Sequence, residues 1–191
     1  GIRLAYEDFR RVLLAGQGER CYANDKDDRQ FSPKRVLTTP YHYAYLKIAE
    51  GCDNKCTYCA IPNIRGKYTS RKIEDIVDEA KSLVKDYGIS ELIIVAQDVS
   101  RYGIDVYGEI KLIDLLKELS LLDVQWIRLL YLYPEQVTEQ LVEYMASNPK
   151  ICNYIDIPCQ HVSNKILKLM NRKVTKEQIV DLINMIRRHG D

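Results

Sequence analysis

Four times along the chain a short apolar run is followed by a segment with helical spacing, and this alternation restricts the fold more than any other feature. The runs at 43–49, 91–96, 126–132 and 153–157 read as strands. The second (Leu92, Ile93, Ile94, Val95) is so continuously apolar that it suits burial on both faces. A helix is expected at 72–86, where Ile73, Ile76, Val77, Ala80, Leu83 and Val84 form one stripe and Ser70 offers a cap. Further helices are expected at 110–121, 138–147, 164–171 and 176–189, the last opened by Thr175 and Gln178 at capping-box spacing. Such alternation predicts an α/β fold with a parallel sheet and right-handed crossovers: an open sheet, or a partial (β/α) barrel of about four βα units. In either form ligands gather at the carboxyl ends of the strands. The distinctive polar motifs fall there: a cysteine loop after the first strand, Gln97 and Asp98 after the second, Tyr133 and Pro134 after the third, and Pro158 to His161 after the fourth.

Length and composition set the outer limits. The 191 residues, 46% hydrophobic and 29% charged, can bury one ordinary core. Residues 5–14 have helical spacing, and 16–34 are rich in Asp, Arg and Gln, so 1–40 are expected to be a linker and N-terminal helix from a preceding domain, with 41–191 as the main domain. No apolar run approaches the roughly 20 residues that span a bilayer, and the start is no signal peptide, so a cytoplasmic protein without a membrane partner is expected. Twenty-eight Lys and Arg against 27 Asp and Glu leave a formal charge of +1, which gives no bulk attraction for nucleic acid.

Six cysteines in a cytosolic chain are not expected to form disulfides. Cys21, Cys152 and Cys159 are scattered; Cys21 and Cys152 read mainly as small buried hydrophobes, while Cys159, beside the polar motif at 158–161, is equally open to a functional reading. Cys52, Cys56 and Cys59 crowd into one short loop, which Gly51 lets the chain enter by a tight turn. Three thiolates on a four-iron cube leave one iron without a protein donor, whereas electron-transfer clusters are closed by four. The competing reading is structural zinc completed by His42 or His161, although zinc modules draw ligands as two pairs and no second pair is present.

The loop Gly51-Cys52-Asp53-Asn54-Lys55-Cys56-Thr57-Tyr58-Cys59, with an aromatic residue before the last cysteine, resembles that of the radical S-adenosylmethionine superfamily. The resemblance implies a [4Fe–4S] cluster on the three cysteines, whose open iron chelates the amino and carboxylate groups of S-adenosylmethionine. One electron from it then releases a 5′-deoxyadenosyl radical. It also implies Tyr58 near the adenine, and Gln97, Asp98 and Gln160 near the cofactor's amino group and ribose.

Further blocks narrow the likeness to the methylthiotransferases: Ala60-Ile61-Pro62, Arg65-Gly66, Ser70-Arg71, and Ala96-Gln97-Asp98 followed by Tyr102-Gly103. The stretches 42–50, 128–134 and 156–161 are most similar to the branch that modifies the β-carbon of an aspartate in a small-subunit ribosomal protein, rather than the tRNA-modifying branch. That family implies a reducing electron donor and a second, auxiliary cluster on three cysteines of a preceding domain. Cys21 alone cannot hold one. It also implies two further βα units, so the chain is expected to be an incomplete core that binds one cluster but does not complete methylthiolation. Outside this family, a metal-stabilised binding module without catalysis is the remaining alternative.

Strand periodicity makes a separate prediction. Lys47, Arg128 and Asp156 alternate with Leu46, Ile48, Ile127, Leu129, Ile155 and Ile157, and Gln97 shares a face with Ile93 and Val95. If the apolar set packs under helices, the polar set faces the barrel interior. Buried charge must be paired, so Lys47, Arg128 and Asp156 should neutralise one another or meet a charged cofactor, Arg128 being the cofactor-facing candidate. Arg65 and Arg71 could bind a carboxylate, or simply be solvated; Tyr131 and Tyr133 could line a pocket. His189 reads as a cation at a helix end.

Overall fold

The computed structural model describes residues 37–190. The expectations for the helix at 5–14, the linker at 16–34 and Cys21 lie outside the described residues. In chain order the elements are β1 (Tyr43–Lys47), β2 (Ala49–Glu50), α1 (Ile61–Arg65), β3 (Thr69–Ser70), α2 (Ile73–Tyr87), β4 (Glu91–Val95) and α3 (Ile104–Tyr107). They continue with α4 (Leu112–Ser120), β5 (Trp126–Leu129), α5 (Glu139–Ser147), α6 (Asn164–Leu169) and α7 (Lys176–His189). Single 3₁₀ turns follow β4 at Val99–Arg101 and β5 at Pro134–Gln136.

β1, β4 and β5 form a parallel sheet in the order β1-β4-β5, with Leu46 beside Ile94 and Ile94 beside Leu129. Period-2 alternation decides its two faces. Ala44, Leu46, Leu92, Ile94, Ile127 and Leu129 are all fully buried beneath the helices. α2 covers this face with Ile76, Val77, Ala80 and Leu83, and α4 adds Leu112, Leu115, Leu116 and Leu119. Gly88, in the left-handed conformation, ends α2 and donates its N–H to the Val84 carbonyl. α7 opens with the expected capping box between Thr175 and Gln178. Ser70 does not cap α2, because its hydroxyl and N–H both bond to the Asp105 carboxylate. β4 is not buried on both faces: Ile93 and Val95 are only half-buried, so among the described residues the second face of this three-stranded sheet is left partly open.

The strand expected at 153–157 is reduced to one bridge, Ile127 to Ile151. Cys152 still donates to the Ile127 carbonyl, but the Tyr154, Cys159 and His161 N–H groups bond two residues back, to Cys152, Ile157 and Cys159. Such three-residue turns use the backbone donors locally and fold the segment off the ladder. On the other side Tyr131 turns to a φ of 60°, so β5 ends before the two segments meet again at Leu132 N–H and the Asp156 carbonyl, 3.0 Å apart.

The polar residues of the second face do not make one shared network. Lys47 pairs with Glu50 at 2.5 Å, Arg128 with Glu91 at 2.6 Å while lying over the Tyr154 ring, and the Asp156 carboxylate accepts the Tyr131 N–H. The strands point these charges to the expected side, but each takes its own partner. Among the described residues no helix is long and apolar enough to cross a membrane.

The buried ion pair is elsewhere. Arg71, 5% exposed, bonds to Glu79 on α2 and donates to the Lys47 carbonyl at 2.8 Å, tying the end of β1 to the helix. Removing one member of such a pair strands a buried charge. Arg71→Met is therefore expected to lower unfolding free energy by about 3–5 kcal/mol in urea titration; a change below about 1 kcal/mol would contradict the assignment.

Candidate functional site

The cysteine loop leaves the carboxyl end of the first strand segment through Gly51, whose φ of +77° favours glycine and where a Cβ would lie 2.1 Å from the Lys67 carbonyl oxygen. The return of the chain is fastened by the Cys52 N–H on the Gly66 carbonyl and by the antiparallel pairing of β2 with β3. Nothing but hydrogen at Gly51 lets these two passes approach so closely.

Two sets of hydrogen bonds then hold the loop from opposite sides. On one side the Asp53 carboxylate accepts the Tyr68 N–H, and Asn54 donates to Asp98 at 3.2 Å. Asp98 also accepts from the Ser100 hydroxyl, while the Tyr68 hydroxyl donates to the Asp98 carbonyl. On the other side the chain just after α6 meets the loop's second half. Thr57 N–H donates to Met170, the Thr57 hydroxyl to the Leu169 carbonyl, and the Asn171 amide to the Lys55 carbonyl at 2.7 Å. Asn171 takes a φ of 56°, a conformation Asn tolerates better than most residues.

All five cysteines among the described residues are free thiols. Cys52 and Cys56 are buried and Cys59 half-buried. Burial raises the Cys52 thiol above its ordinary pKa, while the Asn54 N–H, 3.4 Å from its sulfur, favours the thiolate. Cys52 and Cys59 open on a cavity of about 310 Å³ that they share with Lys47, Gln97, Tyr131 and Tyr133. Its apolar wall is Ile61, Val95 and Ala96. The Gln97 side-chain oxygen is buried and has no hydrogen-bond partner. An orphaned acceptor in a cavity with two thiols is what a ligand carrying N–H donors would satisfy.

Zinc–sulfur bonds of about 2.3 Å put tetrahedral ligands roughly 3.8 Å apart. Among the described residues the one set of three ligand atoms mutually within 4.8 Å is Glu139, Glu143 and His189, so the three cysteine sulfurs do not all lie within that distance of one another. His42 precedes β1, at the end of the sheet away from the loop, and the His161 Nδ1 accepts the Ser163 N–H.

The remaining expected site residues divide. Tyr58 is 51% exposed beside the loop, and burial followed by the Cys56 charge raises its hydroxyl pKa. Asp98 is 1% exposed; burial raises its carboxyl, against the hydrogen bonds from Ser100 and Asn54, and it acts on the loop through Asn54. Arg128 takes its partner at the start of β4, away from the thiols, and Gln160 is exposed at a φ of 65°; neither lines the cavity of Cys52 and Cys59. Arg65 pairs with Glu50 at 3.5 Å, and His189 with Glu139 at 3.0 Å at the end of α7. Sequence reading missed Asn171 and Arg172, which reach the loop from more than a hundred residues away; the only local signal was a polar Asn-Arg-Lys break between two helices.

The described residues thus form a parallel α/β sheet with three free thiols on a loop at its carboxyl edge. Residues 46–190 match the radical SAM superfamily, and the chain belongs to that superfamily. It is 59% identical over 155 residues to the ribosomal protein uS12 methylthiotransferase RimO of Clostridium tetani (strain Massachusetts / E88), covering 81% of this chain and 35% of that protein. It is 46% identical over 194 residues to RimO of Clostridium botulinum (strain Langeland / NCTC 10281 / Type F), covering 98% of this chain and 43% of that one. The chain thus spans well under half the length of these relatives. Among solved structures, the radical S-adenosylmethionine methyltransferase TsrM from Kitasatospora setae superposes with a TM-score of 0.63 at 18% identity, over 82% of this chain and 33% of that one; the likeness is one of fold.

Replacing Gly51 tests the loop directly. Gly51→Ala is expected to keep the helix content seen by circular dichroism while losing iron uptake during anaerobic reconstitution. Wild-type iron uptake would show that the close approach to Lys67 is not needed.

Proposed function

We propose that residues 41–191 are the catalytic core of a methylthiotransferase acting on ribosomal protein uS12, with 1–40 as a connector to other parts of the enzyme. The observation that carries this reading is the loop of Cys52, Cys56 and Cys59, set at the carboxyl edge of the sheet in a chain 59% identical to a RimO. Cys52, Cys56 and Cys59 would hold a [4Fe–4S] cluster. When bound, that cluster and S-adenosylmethionine supply a 5′-deoxyadenosyl radical able to remove hydrogen from an unactivated carbon.

The chain's own part is to bind, orient and exclude water. Gln97 offers its unpartnered oxygen to the cofactor's amino group, and Tyr58 its ring to the adenine. Ile61, Val95 and Ala96 with Tyr131 and Tyr133 provide an apolar wall, which a reactive carbon radical needs so that it meets only its intended hydrogen. Asp98 keeps the loop in place through Asn54. An auxiliary cluster for sulfur donation would need cysteines beyond Cys21, and a low-potential protein would supply the electron. Work on a ribosomal protein would place the enzyme in the cytoplasm.

Anaerobic reconstitution with iron and sulfide tests the reading. It predicts about four irons per chain, and release of methionine and 5′-deoxyadenosine when S-adenosylmethionine and dithionite are added, both lost in Cys56→Ala. Binding of one zinc with no cofactor turnover would overturn it in favour of a structural metal module.

A further inference from the structure

Arg172 is the most deeply buried cation on the loop's far side, and the proposed chemistry has not used it. Its side chain is 1% exposed, in the segment that also carries Asn171. One nitrogen, Nη2, donates to the Pro158 carbonyl at 3.1 Å and lies 3.8 Å from the Glu135 carboxylate. The guanidinium carbon sits 4.3 Å from the centroid of the Tyr133 ring, a cation–π distance. Nε and Nη1 are buried and have no hydrogen-bond partner.

A buried guanidinium with two idle nitrogens is costly unless an electron-rich neighbour uses their N–H groups. Arg172 shares a cavity of about 260 Å³ with Cys56, Tyr133, Asn54 and Asn171. The carboxylate paired with it, Glu135, is too distant at 3.8 Å for a close hydrogen bond. The strongest acceptor in this cavity would therefore be a metal-bound thiolate at Cys56, which carries more charge than a thiol.

We propose that Arg172 is a positioning residue that tunes the cluster's potential: its guanidinium, held by Tyr133 and Pro158, directs N–H donors at the Cys56 side of the cluster and stabilises the reduced state. This rests on the reading above, since it requires the cluster. Reduction takes one electron from a low-potential protein donor and adds one negative charge to the cluster, with no proton or bond exchanged. A buried cation and N–H···S donors favour the more negative state, which raises the potential. The effect eases delivery of the electron; it makes no contact with substrate.

The test is a redox titration of the reconstituted chain followed by electron paramagnetic resonance, with iron content measured on the same samples. Arg172→Gln is expected to keep about four irons and to weaken reduction about tenfold, a fall of ~59 mV for a one-electron couple. Arg172→Lys, which keeps the charge but not the planar fork, is expected to fall by less. An unmoved potential at full iron content overturns the inference. Should Arg172→Gln lose iron, Arg172→Lys decides by the same readout, and loss of iron in both makes Arg172 a structural latch and overturns the inference. A wild-type chain that takes up no four-iron cluster overturns the underlying reading, and the inference with it.

Discussion

The closing of an irregular loop around three thiols, at the point where Gly51 passes the Lys67 carbonyl, is the constraint on which the rest of the site depends. The segment from Cys52 to Ala60 has no regular secondary structure of its own. Its shape is imposed by neighbours: β3 and the turn after β4 on one side, and the segment after α6 on the other. Each hydrogen bond contributes only about 1 kcal/mol net. Together they fix the loop from both halves, so that the three thiols are held on one short segment.

The scaffold beneath divides its labour by strand face. One face of the three-stranded sheet is sealed by leucine- and isoleucine-rich helices and gives the fold its stability. The opposite face carries Lys47, Glu91, Arg128 and the tyrosines, each charge neutralised close to home. The buried Arg71–Glu79 pair fastens the first strand to its helix next to the loop's exit, where a small shift would move all three cysteines.

The fold was largely legible because periodicity reports burial. Leu92 and Ile94 announce a strand, and the boundaries of α7 follow from its apolar spacing and its Thr175–Gln178 cap. Periodicity failed at 153–157, where apolar residues alternate but the backbone spends its donors in three-residue turns, which no hydrophobic pattern encodes. It also placed Lys47 and Arg128 on the correct face without revealing that Glu50 and Glu91, rather than each other, would pair with them. The three cysteines stood out by their crowding into one loop, but the choice of a cluster over zinc came from the residues around them, Gly51 and Tyr58 among them. Asp98 was expected near the cofactor's amino group and ribose; its hydrogen bonds from Asn54 and Ser100 were not foreseen. Asn171 and Arg172 were not found, because contacts spanning over a hundred residues leave no local signature.

The central claim is that three protein thiolates leave one iron open to S-adenosylmethionine. Mössbauer spectroscopy of the iron-loaded chain, with and without S-adenosylmethionine, tests it most directly. The account predicts that about one quarter of the iron signal shifts when the cofactor is added, as a single site of the four gains new ligands. A spectrum in which all four irons stay unchanged, or in which no four-iron cluster is present, would contradict it.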